Sequence, residues 1–133
     1  MKILVVGISG MLGHKIFLEL QKNRNLKVFG MLRNIHNYKK AFAENTDGLI
    51  DGIHVENIEN IDKHIGLIKP NYIINCIGVI KQNNAINKHL EVIKINSSFP
   101  HQLAALCTKH NSKLIHFSTD CVFSGNTGMY RES

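Results

Sequence analysis

The glycine turn at residues 7–13 constrains the fold more than any other stretch of this chain. Ile3-Leu4-Val5-Val6 forms a continuous apolar run after Lys2. Such a run suits a central strand of a parallel sheet that is covered on both faces. It leads directly into Gly7-Ile8-Ser9-Gly10-Met11-Leu12-Gly13, after which Leu12, Ile16 and Leu20 recur at helical spacing. Strand, glycine turn and helix are together the context that a dinucleotide-binding turn requires. Gly7 permits the tight turn, Gly10 lets backbone approach a pyrophosphate, and Gly13 lets the helix pack closely on the strand. The helix N-terminus then offers N–H groups and a positive dipole end to the phosphates. The spacing is G-x-x-G-x-x-G rather than G-x-G-x-x-G. Three glycines alone would also suit a plain strand-to-helix turn; their place directly after an N-terminal strand gives them weight.

The remaining sequence alternates in the same manner. Strands are expected at about 2–7, 27–32, 48–55 (broken by Gly52), 72–78 and 114–117. Helices are expected at about 11–23, weakly from Tyr38 to Glu44, at 58–68 and at 85–109. Asn57 suits the N-cap of the helix through Ile58, Ile61, Ile65 and Ile68, and Pro70 with Asn71 ends it. Pro100 either begins the second half of the last helical region or kinks it. Repeated strand-helix units imply a parallel sheet with right-handed crossovers. The expected architecture is a doubly wound Rossmann sheet in the order 3-2-1-4-5, with helices on both faces. At 133 residues the chain is one domain with room for a real core.

Composition mainly excludes. The net charge is +6, but the lysines are scattered and only Lys39-Lys40 are adjacent. No basic stripe with interleaved aromatics appears, so nucleic acid is not an expected partner. The positive field suits a solvated surface and helps recruit an anionic substrate. No apolar run approaches the ~18 residues of a membrane span, and the N-terminus lacks a signal-peptide layout. A cytoplasmic location without membrane partners is expected. Cys76, Cys107 and Cys121 form no C-x-x-C pair, so neither zinc nor a disulfide framework is implied. The eight histidines show no ligand spacing, and no metal is expected.

Three places carry candidate chemistry. Arg33 lies just after strand two, where an acid would bind a ribose 2′-hydroxyl and an arginine accommodates a 2′-phosphate. No Asp or Glu lies between Gln21 and Lys40. NADP is favoured over NAD, with NAD left open and a solvated arginine as the plainer reading. Cys76-Ile77-Gly78 follows Asn75 at the end of strand four, where a small glycine lets backbone lie against a cofactor. A simple strand-ending turn explains the same residues, and Cys76 reads as a small buried residue. Finally, Leu114-Ile115-His116-Phe117 runs into Ser118-Thr119-Asp120. In such sheets ligands meet the carboxyl ends of strands, so these hydroxyls and this carboxylate are placed for chemistry.

With these segments in view, the chain resembles the N-terminal part of an extended short-chain dehydrogenase/reductase. More narrowly, it resembles the dTDP-4-dehydrorhamnose reductase family of sugar-nucleotide reductases. VVGISGMLGHK (5–15), KPNYIINCIGVIKQ (69–82), INSSFPHQLAALC (95–107) and LIHFSTDCVFSGNTGMYRES (114–133) carry the likeness. The last is the most specific, since the family has Ser-Thr-Asp-x-Val-Phe-x-Gly there. The resemblance implies that Gly7, Gly10, Met11, Leu12 and Gly13 meet the cofactor phosphates. It implies that Cys76, Ile77 and Gly78 follow the nicotinamide-side ribose. It makes Thr119 the hydroxyl of a Thr-Tyr-Lys catalytic set, with Asp120 and Cys121 on the substrate side. The implied activity is NADPH-dependent reduction of the 4-keto group of a nucleotide-linked deoxysugar, and a homodimer is left open.

The chain also departs from the family. His54 stands where relatives carry an aspartate near the adenine, and Cys121 where many carry tyrosine. No Tyr-x-x-x-Lys follows, since Tyr130 precedes only Arg131, Glu132 and Ser133. The sequence therefore reads as an incomplete cofactor-binding domain without its substrate domain, inactive alone. The competing class is a non-catalytic module, because the regulatory beta subunit of methionine adenosyltransferase resembles the same family.

Overall fold

Five strands line up in parallel: β1 (Lys2–Val6), β2 (Lys27–Met31), β3 (Leu49–Ile50), β4 (Tyr72–Asn75) and β5 (Lys113–His116). The computed structural model describes residues 1–37, 47–79, 88–118 and 128. The strands form one sheet in the order β3-β2-β1-β4-β5, and every pairing is parallel. This is the doubly wound order expected from the alternation of elements. The chain reverses its direction of travel across the sheet between β1 and β4, the point where such sheets open to ligands.

Alternation along β1 divides the core into two layers. Ile3 and Val5 face α1 (Met11–Gln21) and join Ile8, Phe17, Val28 and Leu32. Leu4 and Val6 face the opposite side. There α2 (Ile58–Ile68) brings Ile61 and Ile65, and the last helix brings Phe99 and Leu103. Each such side chain, fully buried, contributes roughly 1.5–3 kcal/mol against exposure. The last helical region has three parts: α3 (Lys88–Ile93), a π-helical turn Lys94–Ser98, and α4 (Phe99–Lys109). Pro100 begins the second half, in the first turn of α4 where its missing N–H does least harm. In the π turn the Phe99 N–H reaches back to the Lys94 carbonyl.

Helix α2 begins and ends as its sequence suggests. The Asn57 side chain accepts from the Asn60 N–H at 3.0 Å, and Lys69, with φ of 51°, turns the chain out before Pro70. β1 and β2 each end one residue before the expected 7 and 32, and two strands fall further short of their apolar runs. The third was expected at 48–55 but pairs only at Leu49 and Ile50. Gly52, with φ of 71°, bends the chain away, while Asp51 accepts the Ile35 N–H at 2.8 Å. The fourth was expected to reach Gly78 but ends at Asn75, whose side chain takes the Ile77 N–H and turns the backbone. Strand five is shifted one residue toward the N-terminus, at Lys113–His116. The helix expected at Tyr38 to Glu44 and the start of the one expected from Ala85 lie outside the described residues.

One glycine with a packing role escaped the sequence reading. A Cβ on Gly30, in β2, would lie 2.6 Å from Ile8 Cδ1 and 2.9 Å from Phe17 Cε2. Its absence lets the Phe17 ring of α1 lie directly on the sheet. At the far edge, Leu114 joins the α2 and α4 layer, so Ile115 alternates to the other side. Ile115 and Phe117 are 43% and 46% exposed.

Candidate functional site

The carboxyl ends of β1, β2 and β4 open onto a single groove. Gly7, Ser9 and Gly10 form its base. Met31, Leu32 and Arg33 after β2, with Ile53 to Glu56, line one side. Cys76 to Val79 after β4, with Glu91 and Ile95 from the last helical region, line the other.

The three glycines of the turn have three different reasons to be glycine. Gly7 has φ of 92°, and a Cβ there would lie 2.6 Å from Ile77 Cγ1. The Gly7 and Ile8 N–H groups both donate to the Met31 carbonyl, at 3.0 and 3.2 Å, which ties the turn to β2. Gly13 is buried beneath the turn, where a Cβ would come within 2.3 Å of the Gly7 carbonyl oxygen. Its job is packing, and it does not line the groove. Gly10 is the contrary case. Its backbone is extended, at φ −79° and ψ 158°, and a Cβ would meet nothing nearer than the Gly7 oxygen at 3.5 Å. Among the described residues no atom excludes a side chain there, and Gly10 itself lines the groove.

Helix α1 starts at this turn without a side-chain cap, and no acidic residue stands in its first turn. Its leading N–H groups and positive dipole end are thus left for an anion. Met11 is 92% exposed and Leu12 43% exposed there, beside the groove rather than in the core. Arg33 is exposed on the rim. Among the described residues no carboxylate forms an ion pair with it. His54 shares that side with Glu56.

The loop after β4 is fixed by two asparagines. Asn75 is fully buried. Its Oδ1 accepts the Ile77 N–H at 3.0 Å, and its Nδ2 lies 3.1 Å from Nδ1 of His116. Asn96, in the π turn, accepts the Val79 N–H and donates to the Val79 carbonyl, both at 2.8 Å. Burial pushes the Cys76 thiol up to about 11, so it is a protonated packing group at neutral pH, as its position suggested.

The structure thus brings Gly7, Gly10, Arg33, Cys76, Ile77 and Gly78 to one groove. Thr119, Asp120 and Cys121 lie outside the described residues; Ser118, just before them, is exposed. Ser9, Ile53, Val55, Glu56, Glu91, Ile95 and the two clamping asparagines were not foreseen, while His54, expected near the adenine, does line the groove. Asn75 had a signal, a polar residue closing an apolar strand. Asn96 had none, since its role depends on a π turn that no periodicity announces. Among the described residues no group of His, Cys, Asp and Glu could hold a metal ion, and no helix is long and apolar enough to cross a membrane.

Comparison with known proteins agrees with this geometry. The model of the family described as RmlD substrate binding domain matches residues 1–133. The chain is 26% identical over 133 residues to the dTDP-4-dehydrorhamnose reductase of Aggregatibacter actinomycetemcomitans, covering 99% of this chain and 40% of that protein. A solved dTDP-4-dehydrorhamnose reductase from Clostridium acetobutylicum superposes with a TM-score of 0.72 at 27% identity, covering 95% of this chain and 39% of that one. Another, from Bacillus anthracis in complex with NADP, shares the fold with a TM-score of 0.71 at 23% identity, over 93% of this chain and 38% of that one. The chain therefore spans about two fifths of the length of the proteins it matches.

Proposed function

Since the chain belongs to the RmlD substrate binding domain family, we propose that it is the cofactor-binding part of a reductase. That enzyme uses NADPH to reduce the 4-keto group of a nucleotide-linked deoxysugar. The observation that carries the cofactor half is the uncapped, acid-free start of α1 behind Gly10. Gly10 lines the groove, and among the described residues a Cβ there would meet only the Gly7 oxygen, at an ordinary contact of 3.5 Å.

The residues fit a pyridine dinucleotide. The Gly10, Met11 and Leu12 backbone would hold the pyrophosphate, with Gly7 and Gly13 shaping the turn. Arg33, on the rim, would pair with a 2′-phosphate by charge-assisted hydrogen bonds. Cys76, Ile77 and Gly78 would border the nicotinamide-side ribose. When bound, the reduced cofactor supplies a hydride to the keto carbon. Thr119 is assigned the hydroxyl that hydrogen-bonds the carbonyl oxygen as negative charge develops there, and Asp120 and Cys121 are assigned to the sugar side. The proton for the resulting alkoxide needs a positioned acid, which the family draws from Tyr-x-x-x-Lys, a motif absent from these 133 residues.

Calorimetry of NADPH and NADH binding tests the reading. NADPH binds the chain more tightly, and Arg33→Ala narrows the gap by about tenfold to hundredfold, the worth of a charge-assisted pair at ~1.5–3 kcal/mol. Equal affinities in the parent remove the 2′-phosphate assignment. Absence of binding by either cofactor removes the cofactor role itself.

A further inference from the structure

We propose that His116 is a positioning residue for the groove: in its neutral form it holds, through Asn75, the backbone of Ile77 on which a bound dinucleotide rests, the dinucleotide being taken from the functional reading above. Asn75 closes β4 between Val6 of β1 and His116 of β5, its register neighbours. It is fully buried. Its Oδ1 is 3.0 Å from the Ile77 nitrogen, and its Nδ2 is 3.1 Å from Nδ1 of His116.

Donor and acceptor chemistry leaves one assignment. A backbone N–H can only donate, so the Asn75 oxygen faces Ile77. The amide nitrogen then faces His116, and it too can only donate. His116 Nδ1 must therefore accept, which places the ring proton on Nε2. Protonating the ring sets one donor against another. Rotating the Asn75 amide brings no relief, because its NH2 would then face the Ile77 N–H. His116 is exposed while Asn75 is fully buried, so the bond that opens leaves the Asn75 amide, not the ring, short of a partner. Ile77 lines the groove, and a Cβ on Gly7 would lie within 3.2 Å of its nitrogen. Displacement of this backbone therefore reaches the phosphate turn as well.

The titratable and charged groups on the elements around His116 are few. β4 carries Tyr72, with the Cys76 thiol just past its end, which does not ionise near neutral pH. α4 carries His101, Cys107, Lys109 and His110. Lys109 and His110 are both bound to Asp62, near the end of α4 that leads into the start of β5. Lys113, at that start, lies 5.9 Å from the Tyr72 ring centroid. Asp120, four residues after His116 in the sequence, is outside the described residues.

The test follows ring-nitrogen and Ile77 amide shifts in the isotope-labelled chain by NMR from about pH 8 to about pH 5, across the histidine range, with NADPH affinity measured in parallel. The expected high-pH state carries its proton on Nε2. The Ile77 amide shift then tracks His116 protonation, and NADPH affinity falls about threefold to tenfold, the worth of one neutral hydrogen bond. Asn75→Asp accepts from Ile77 and from an Nδ1–H of His116 in either protonation state of the ring, so its Ile77 amide shift no longer tracks His116 protonation. His116→Gln keeps an acceptor that does not titrate, so the Ile77 amide loses the parent's pH-dependent step across the range. A purely structural role would not remove the Ile77 step in both variants. A proton on Nδ1, an Ile77 amide indifferent to His116, or a His116→Gln variant with the parent's slope overturns the assignment. If NADPH binds at no pH, the functional reading fails separately, and the coupled or uncoupled shifts of Ile77 and His116 still decide this one.

Discussion

Two glycines three residues apart in the same turn answer to different masters, and a pair of substitutions separates them. In Gly13→Ala the new Cβ would lie 2.3 Å from the Gly7 carbonyl oxygen and 2.8 Å from its carbon. Both are backbone atoms and cannot swing aside. Overpacking of this kind costs typically ~1–3 kcal/mol, and rigid backbone puts the cost at the upper end. At roughly 3–5 °C per kcal/mol for a domain of this size, melting falls by about 10 °C. In Gly10→Val the backbone is already extended, and the nearest atom to the new Cβ is 3.5 Å away. Stability should change little, because the restriction of the unfolded chain, on the order of 0.4–1 kcal/mol, offsets the poor fit of valine to the N-cap of α1. The branched side chain would instead occupy the space over the start of α1. Loss of even one charge-assisted bond to a phosphate is worth ~1.5–3 kcal/mol, so NADPH affinity should fall at least about tenfold. Thermal melts and fluorescence titration of NADPH, run on both variants, read the two effects independently. Normal affinity in Gly10→Val would falsify the phosphate cradle, and an unchanged melt in Gly13→Ala would contradict the packing reading.

The other predictions concern packing, charge and chemistry. Gly30→Ala drives a Cβ into Ile8 and Phe17 and should destabilise by ~1–3 kcal/mol, seen as a lower denaturant midpoint; a parent-like midpoint would mean the ring moves freely. The hydrogen bond from Lys109, then that from His110, holds the Asp62 carboxyl below its ordinary value. A depressed carboxylate stabilises above its unfolded value and loses that contribution as pH falls through the folded one. Asp62→Asn should therefore lower the melting temperature at neutral pH, with the gap closing below about pH 4; a gap independent of pH would refute the ionic cause. In an enzyme that contains this chain and its proton donor, Thr119→Val should cut turnover by roughly 10²–10³ with NADPH affinity nearly unchanged. The 133 residues alone should show no keto-sugar-dependent NADPH oxidation, and steady turnover by them would overturn the assignment of the proton donor to another segment.

What the sequence made legible was whatever depends on local pattern. The apolar run of β1, the glycine turn and the Asn57 cap each act within a few residues, and each appears where the pattern places it. Strand order followed from alternating elements and crossover handedness. Strand ends were less legible, because apolar content continues past the last ladder bond. Val55 and Ile77 are apolar for the core while lying outside β3 and β4. The groove was legible in its glycines and Arg33, but Glu91 and Ile95 reach it only because the π turn sets the approach of α3 and α4. Gly30 looked like an unremarkable strand residue, since nothing near it in sequence reveals the Phe17 ring that needs its space.

The clamp between Asn96 and Val79 has a consequence in time. Both backbone groups of Val79 end on one side chain, so neither can be released without loosening the other. A loop at the mouth of a groove would ordinarily open on its own, as a low-stability unit. Here the Val79 amide should exchange its hydrogen only when the turn that carries Asn96 lets go. Its protection should then follow that of the α4 helix, not that of the neighbouring loop amides. The rim of the groove on this side is therefore as slow as the helix behind it. A ligand arriving there meets a preset surface.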